Sequence, residues 1–225
     1  VARGIFNFFK PKVAQRSAST AVAEPLEVAR SLHQLGEHAA ALVICREILE
    51  RQSDHVDTLF LMAEIATSTG ESDRAMQIYR QVLDFKPDRA PAHYKLGNLL
   101  KDRQQLEAAL ASYDEAIALD PGYAHAFFNR GFVLERLKRW NAALKSYDHA
   151  ISLTPGDALA HYNRAAVLRE LGRQEEALAS YAQAIAVKPD YFDAYFNRGL
   201  LLTELKQWGA ARSSLERAIA LNPGF

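Results

Sequence analysis

The chain has 225 residues, with 27 basic and 27 acidic side chains and a formal charge of zero. It therefore lacks the electrostatic footprint of a general nucleic-acid binder. Its apolar runs are a few residues each, short of the ~20 that a membrane-spanning helix needs. The single cysteine, Cys45, excludes an internal disulfide and fits a reducing, cytoplasmic compartment.

Residues 1–21 follow no repeat. Val1-Ala2-Arg3-Gly4 reads as an expression remnant or the cut end of something longer. Ile5-Phe6-Asn7-Phe8-Phe9 is an apolar knot, followed by Lys10-Pro11-Lys12 and a Ser/Ala/Thr run from Ser17 to Ala23. The knot is too short for a signal-peptide core. Two roles are open to Phe6, Phe8 and Phe9: a cap over the first repeat, or a docking peptide for a groove.

From residue 22 a 34-residue period governs the chain. Pro87, Pro121, Pro155, Pro189 and Pro223 mark it at equal intervals. The first interval, 22–55, keeps the period with Ala29, Leu32, Ala41 and Cys45 but has Ser53 where proline would stand. The intervals 56–89, 90–123, 124–157, 158–191 and 192–225 each carry a small residue near the start: Ala63, Gly97, Gly131, Ala165 and Gly199. Each then has an alanine at Ala75, Ala109, Ala143, Ala177 and Ala211. One turn later come Tyr79, Tyr113, Tyr147, Tyr181 and finally Leu215.

These residues predict helical hairpins. Proline lacks an amide hydrogen and clashes with the preceding turn, so it ends the second helix of each interval. A small residue at the helix crossing lets two backbones approach, with the alanine facing it and the tyrosine filling the gap toward the next interval. Gly36, Gly70 and Gly172 mark the bend between paired helices, where a left-handed residue is wanted.

The pattern of small residue, apolar pairs, Ala-x3-aromatic and proline, fullest at Gly131, Leu134, Trp140, Ala143, Tyr147 and Pro155, resembles the tetratricopeptide repeat. The resemblance covers six units, 22–55 to 192–225, about nine tenths of the chain. It implies an all-α, right-handed superhelical solenoid whose first helices line a concave groove. Its implied role is that of a non-catalytic scaffold for an extended protein or peptide partner, without a cofactor.

Two phases face that groove. One holds Phe60, Tyr94, Phe128, Tyr162 and Phe196, and the next holds Leu61, Lys95, Asn129, Asn163 and Asn197. An asparagine offers an acceptor and two donors, so it can pair with a peptide backbone of any sequence. The three asparagines look like the ladder in the tetratricopeptide superhelix of O-linked N-acetylglucosamine transferases. The alternative is that they bond the neighbouring helix. The rings likewise can anchor a ligand or fill crevices between first helices, and Asn98 and Phe132 complete the candidate groove. Arg130, Arg164 and Arg198 lay their stems along the core and carry charge to its edge, or else form an anion-binding stripe. The clamp by which some tetratricopeptide domains hold acidic chaperone tails is incomplete. Asn98 and Asn129 match it, but Tyr94, Leu159 and Asn163 stand where its cations belong.

Catalytic constellations are not found in the sequence. The histidines at 33, 38, 55, 93, 125, 149 and 161 form no zinc-protease pair and no metal spacing with a cysteine. His93 and His161 read as half-buried packing residues, and Glu175-Glu176 as a helix start favoured by its dipole. Leu215, Ile219 and Leu221 lie on the last helix and offer a surface for self-association. The Tyr-Phe-Asn-Arg-Gly run at 195–199 resembles bacterial arrays joined to glycosyltransferase or methyltransferase domains. That leaves two alternatives to the scaffold, a homo-oligomeric structural protein and the substrate-recruiting arm of a larger enzyme.

Overall fold

The computed structural model describes the backbone of residues 14–224 and the side chains from Glu24 onward. Among the described residues there are twelve helices and no strand, two helices to each 34-residue interval. They fall into two compact units that divide between Pro87 and Asp88.

The first unit contains α1 (Ala14–Gln34), α2 (His38–Arg51), α3 (Val56–Ser68) and α4 (Ser72–Phe85). Helix α1 begins ahead of residue 22 and carries Pro25 within it, at the cost of one backbone hydrogen bond. Leu26, Ala29, Ala41, Cys45, Ile48, Leu61 and Ile65 form the core. Cys45 has no exposed surface, and burial pushes its thiol up to about 11, so it is a packing residue with little thiolate at neutral pH. Leu61, at the asparagine phase, is equally buried. The aromatic knot at Phe6, Phe8 and Phe9 lies outside the described residues.

The second unit contains four hairpins: α5 (Ala90–Asp102) with α6 (Leu106–Leu119), α7 (Ala124–Arg136) with α8 (Trp140–Leu153), α9 (Ala158–Glu170) with α10 (Gln174–Val187), and α11 (Phe192–Glu204) with α12 (Trp208–Leu221). Each second helix also packs on the first helix of the next hairpin. The spine of the core is Ala109, Tyr113, Ala143, Tyr147, Ala177 and Tyr181, all buried.

Local rules set the helix ends. Each proline follows its helix by two residues, and the residue between leaves the helical region with a positive ψ: 81° at Lys86, 91° at Asp120, 78° at Thr154, 91° at Lys188 and 83° at Asn222. Gln52, which Ser53 follows, leaves α2 in the same way with ψ of 89°, so this exit belongs to the hairpin and the proline is accommodated by it, since it disfavours a helical predecessor. Asp157 caps α9 by accepting hydrogen bonds from the backbone N–H of Leu159 and Ala160.

The bends at Gly36, Gly70 and Gly172 are left-handed, with φ of 82°, 79° and 73°. The same place in the other hairpins holds Gln104, Lys138 and Lys206 at 62°, 56° and 57°. A side chain is disfavoured there by ~1–2 kcal/mol, partly offset by the chain entropy that glycine loses. Lys138→Gly and Lys206→Gly are each expected to raise unfolding free energy by ~0.5–1 kcal/mol, read by urea titration. No gain in either variant would show that these bends are unstrained.

The small residues act differently from the sequence expectation. A Cβ placed on Gly97 would lie 2.7 Å from Tyr113 Cε1, on Gly131 2.8 Å from Tyr147 Cε1, and on Gly199 2.6 Å from Leu215 Cδ2. The glycine thus makes room for the large side chain of its own second helix. The tyrosine packs back into its hairpin instead of only reaching toward the next.

Candidate functional site

All nine candidate groove residues belong to the second unit, on its first helices. Tyr94, Asn98, Phe128, Asn129, Phe132, Tyr162, Asn163, Phe196 and Asn197 are each half-buried. One face of each side chain is therefore packed and another open to solvent.

The aromatic rings rest on the tyrosine spine. Phe128 meets Tyr147 edge-on at 5.7 Å, Tyr162 meets Tyr181 at 5.8 Å, and Tyr94 meets Tyr113 at 6.1 Å. Tyr94 and Tyr162 also contact the residue that caps the next first helix, Tyr123 at 4.8 Å and Tyr191 at 5.2 Å. Phe128 and Phe196 have no such hydroxyl. The surface accordingly alternates every second hairpin, a 68-residue superperiod of Tyr and Phe hairpins.

That alternation makes the three asparagines unequal. Asn129 Nδ2 donates to Tyr94 Oη at 3.2 Å and to Asn98 Oδ1 at 2.8 Å, and Asn98 Oδ1 also accepts from Tyr113 Oη at 2.7 Å. Asn197 Nδ2 donates to Tyr162 Oη at 2.7 Å. Asn163 stands one hairpin after Phe128, where no hydroxyl is offered, and lies near Tyr147, whose hydroxyl burial pushes up and the asparagine helps to hold down. The amide hydrogens of Asn129 and Asn197 thus bond neighbouring helices, as one of the two sequence readings held. Both hydrogens of Asn129 are committed, whereas its Oδ1 and that of Asn197 are left as acceptors among the described residues.

An open cavity of about 190 Å3 lies along this face, lined by Glu135, Trp140, Arg169, Glu170, Tyr181 and Asn197. Arg169 is tied to Glu204, so the remaining wall is acidic and aromatic. Burial raises the Glu135 carboxyl above its ordinary range, and nearby Glu170 adds to the rise. The bond donated by Tyr147 Oη at 2.9 Å opposes it. Sequence reading missed Glu135 and Glu170 because a first-helix carboxylate has the pattern of a solvated face.

Two of the three edge arginines are internally paired. Arg130 Nε donates to Asp114 Oδ1 at 2.5 Å, and a terminal nitrogen donates to Ser146 Oγ at 2.6 Å. Arg164 does the same with Asp148 at 2.6 Å and Ser180 at 2.5 Å. Each ties the second helix of one hairpin to both helices of the next. On α12, Leu215 is half-buried against Gly199, Leu221 is half-buried, and Ile219 is 62% exposed.

A family model described as TPR repeat matches residues 97–138 and 166–205, and models described as tetratricopeptide repeat match 32–100, 146–179, 124–157 and 192–225. The chain belongs to the tetratricopeptide repeat family. Solved tetratricopeptide structures are similar to it. YrrB, described as a TPR protein with an unusual peptide-binding site, superposes with a TM-score of 0.73 at 23% identity, covering 80% of this chain and 93% of that one. MamA gives 0.70 at 24% identity over 72% and 95%, and the pilF protein of Pseudomonas aeruginosa 0.77 at 20% over 92% and 94%. At these identities the likeness is one of fold. No curated protein matches the sequence. Among the described residues of this tetratricopeptide protein, no helix is long and apolar enough to cross a membrane.

Proposed function

We propose that the second unit is a non-catalytic scaffold that binds an extended segment of a partner polypeptide along the face of α5, α7, α9 and α11. The observation that carries this is a continuous row of half-buried rings and amides whose inner sides are fixed by packing and hydrogen bonds. Such pre-organisation lowers the ordering cost of binding. The asparagine oxygens offer acceptors to ligand backbone N–H groups. The cavity beside Glu135 and Glu170 suits a basic side chain, with Trp140 also in its wall. At ~1 kcal/mol net per hydrogen bond the amides supply only a few kcal/mol, so apolar anchoring on Phe128, Tyr162 and Phe196 sets the affinity, on the order of micromolar. A random-peptide array probed with the intact chain tests this. Expected hits are extended segments carrying a basic and an apolar residue, and an array without hits would overturn it.

Exposed Ile219, with Trp208 also 62% exposed, favours a second role, self-association through α12. Leu215 is a poor probe because it is packed on Gly199. Ile219→Lys is expected to convert any dimer seen by sedimentation to monomer. A dimer surviving it would place the contact elsewhere.

A further inference from the structure

The arginine clamps of the second unit recur at 34-residue intervals, and the third one breaks the pattern. The first two are built alike, each with an aspartate on the preceding second helix, an arginine on the next first helix and a serine on that hairpin's second helix. The middle cleft, between α8, α9 and α10, is an open cavity of about 220 Å3 with Asp148, Arg164 and Ser180 in its wall. One period on, between α10, α11 and α12, Arg198 and Ser214 keep their places but Ala182 stands where Asp114 and Asp148 stood.

Other substitutions at the same register reinforce the change. Gln183 of the middle cleft becomes Arg217, Ala179 becomes Ser213, and His161 becomes Tyr195. Ser214 Oγ donates to Ala210 O at 3.0 Å, as Ser146 does to Ala142 O at 3.1 Å. Its hydrogen is therefore committed to the backbone and its lone pairs are left for a donor. The nearest acid on α12, Glu216, is taken by Arg212 at 2.7 Å. Among the described residues no carboxylate pairs with Arg198 or Arg217. Arg198 is half-buried, so its charge is partly desolvated without the counter-ion that the other two clefts supply.

We infer that this cleft is a carboxylate-binding site, in which Arg198 and Arg217 take an aspartate or glutamate side chain of a partner polypeptide where the related clefts hold their own aspartate. The planar guanidinium fork already grips a carboxylate through Nε in those clefts, which favours this geometry over a bare point-charge contact. The cleft shares α11 with the peptide-binding face but is built from different side chains, with α10 and α12 as its other walls, so either site can exist without the other.

Titration calorimetry of the full chain with octaglutamate, and separately with inorganic phosphate, at low ionic strength tests it. Octaglutamate is expected to bind, and Arg198→Gln is expected to weaken it at least tenfold. Ala182→Asp, which restores the internal partner, is expected to weaken it equally while melting at or above the temperature of the parent chain. Ala182→Asn, similar in size but uncharged, is expected to retain binding within threefold. Absence of octaglutamate binding, equal loss with Ala182→Asn, or full binding by Ala182→Asp would overturn the assignment. Phosphate binding as tightly as octaglutamate would overturn the carboxylate preference.

Discussion

Tyr147→Ala is expected to cost ~3–5 kcal/mol of unfolding free energy, the scale for emptying a buried aromatic site. The ring has no exposed surface. It packs over Gly131, where even a Cβ would come within 2.8 Å, and meets Phe128 at 5.7 Å. Its hydroxyl donates to Glu135, so truncation also strips a half-buried carboxylate of a donor. In a repeat array the loss falls on the damaged hairpin and its neighbours, and hydrogen exchange should rise most in α7, α8 and α9. Tyr147→Phe keeps the ring and should cost only ~1 kcal/mol. Urea titrations of both variants decide the matter. An alanine variant as stable as the phenylalanine one would show that the ring is no spine element.

Changing Asn129, Asn163 and Asn197 together to alanine is expected to weaken peptide capture at least tenfold, as about 1.4 kcal/mol of lost hydrogen bonding would. Because the amides of Asn129 and Asn197 also bond Tyr94, Asn98 and Tyr162, the variant should also lose ~1–3 kcal/mol of stability. A control separates the two effects. Tyr94→Phe with Tyr162→Phe removes two of the interhelical acceptors and leaves every asparagine in place. Affinities of one array-selected peptide for the three chains, measured by fluorescence anisotropy, give the answer. Retained binding in the phenylalanine control with loss in the alanine variant would assign the amides to the ligand. Equal loss in both would make them positioning groups only, and equal binding by all three would remove them from the site.

Much of the molecule was legible because its strongest constraints are local. Proline at 87, 121, 155, 189 and 223 can neither continue a helix nor leave its predecessor helical, and glycine at 36, 70 and 172 suits a left-handed bend. The equal spacing of these residues announced hairpins, and the phase of Tyr113, Tyr147 and Tyr181 announced a buried column. The non-glycine bends at Gln104, Lys138 and Lys206 were hidden, since nothing in their side chains asks for a positive φ. Glu135 and Glu170 were hidden too, because their shared cavity depends on Trp140 and Tyr181 arriving from other helices.

The sequence by itself therefore determined the repeat, its helix limits and the list of groove candidates, since each follows from sterics within a few residues or from phase along one helix. Tertiary structure alone decided which partner each candidate finds. Asn129 meets Tyr94 from 35 residues away and Arg130 meets Asp114 from 16, and such meetings depend on the packing angle between helices. For the same reason three asparagines identical in phase became unequal, and three arginines became two clamps and one half-buried exception that no carboxylate meets among the described residues. Hydrogen bonds and ion pairs require atoms to converge within about 3 Å, and only the stacking of helices sets that convergence.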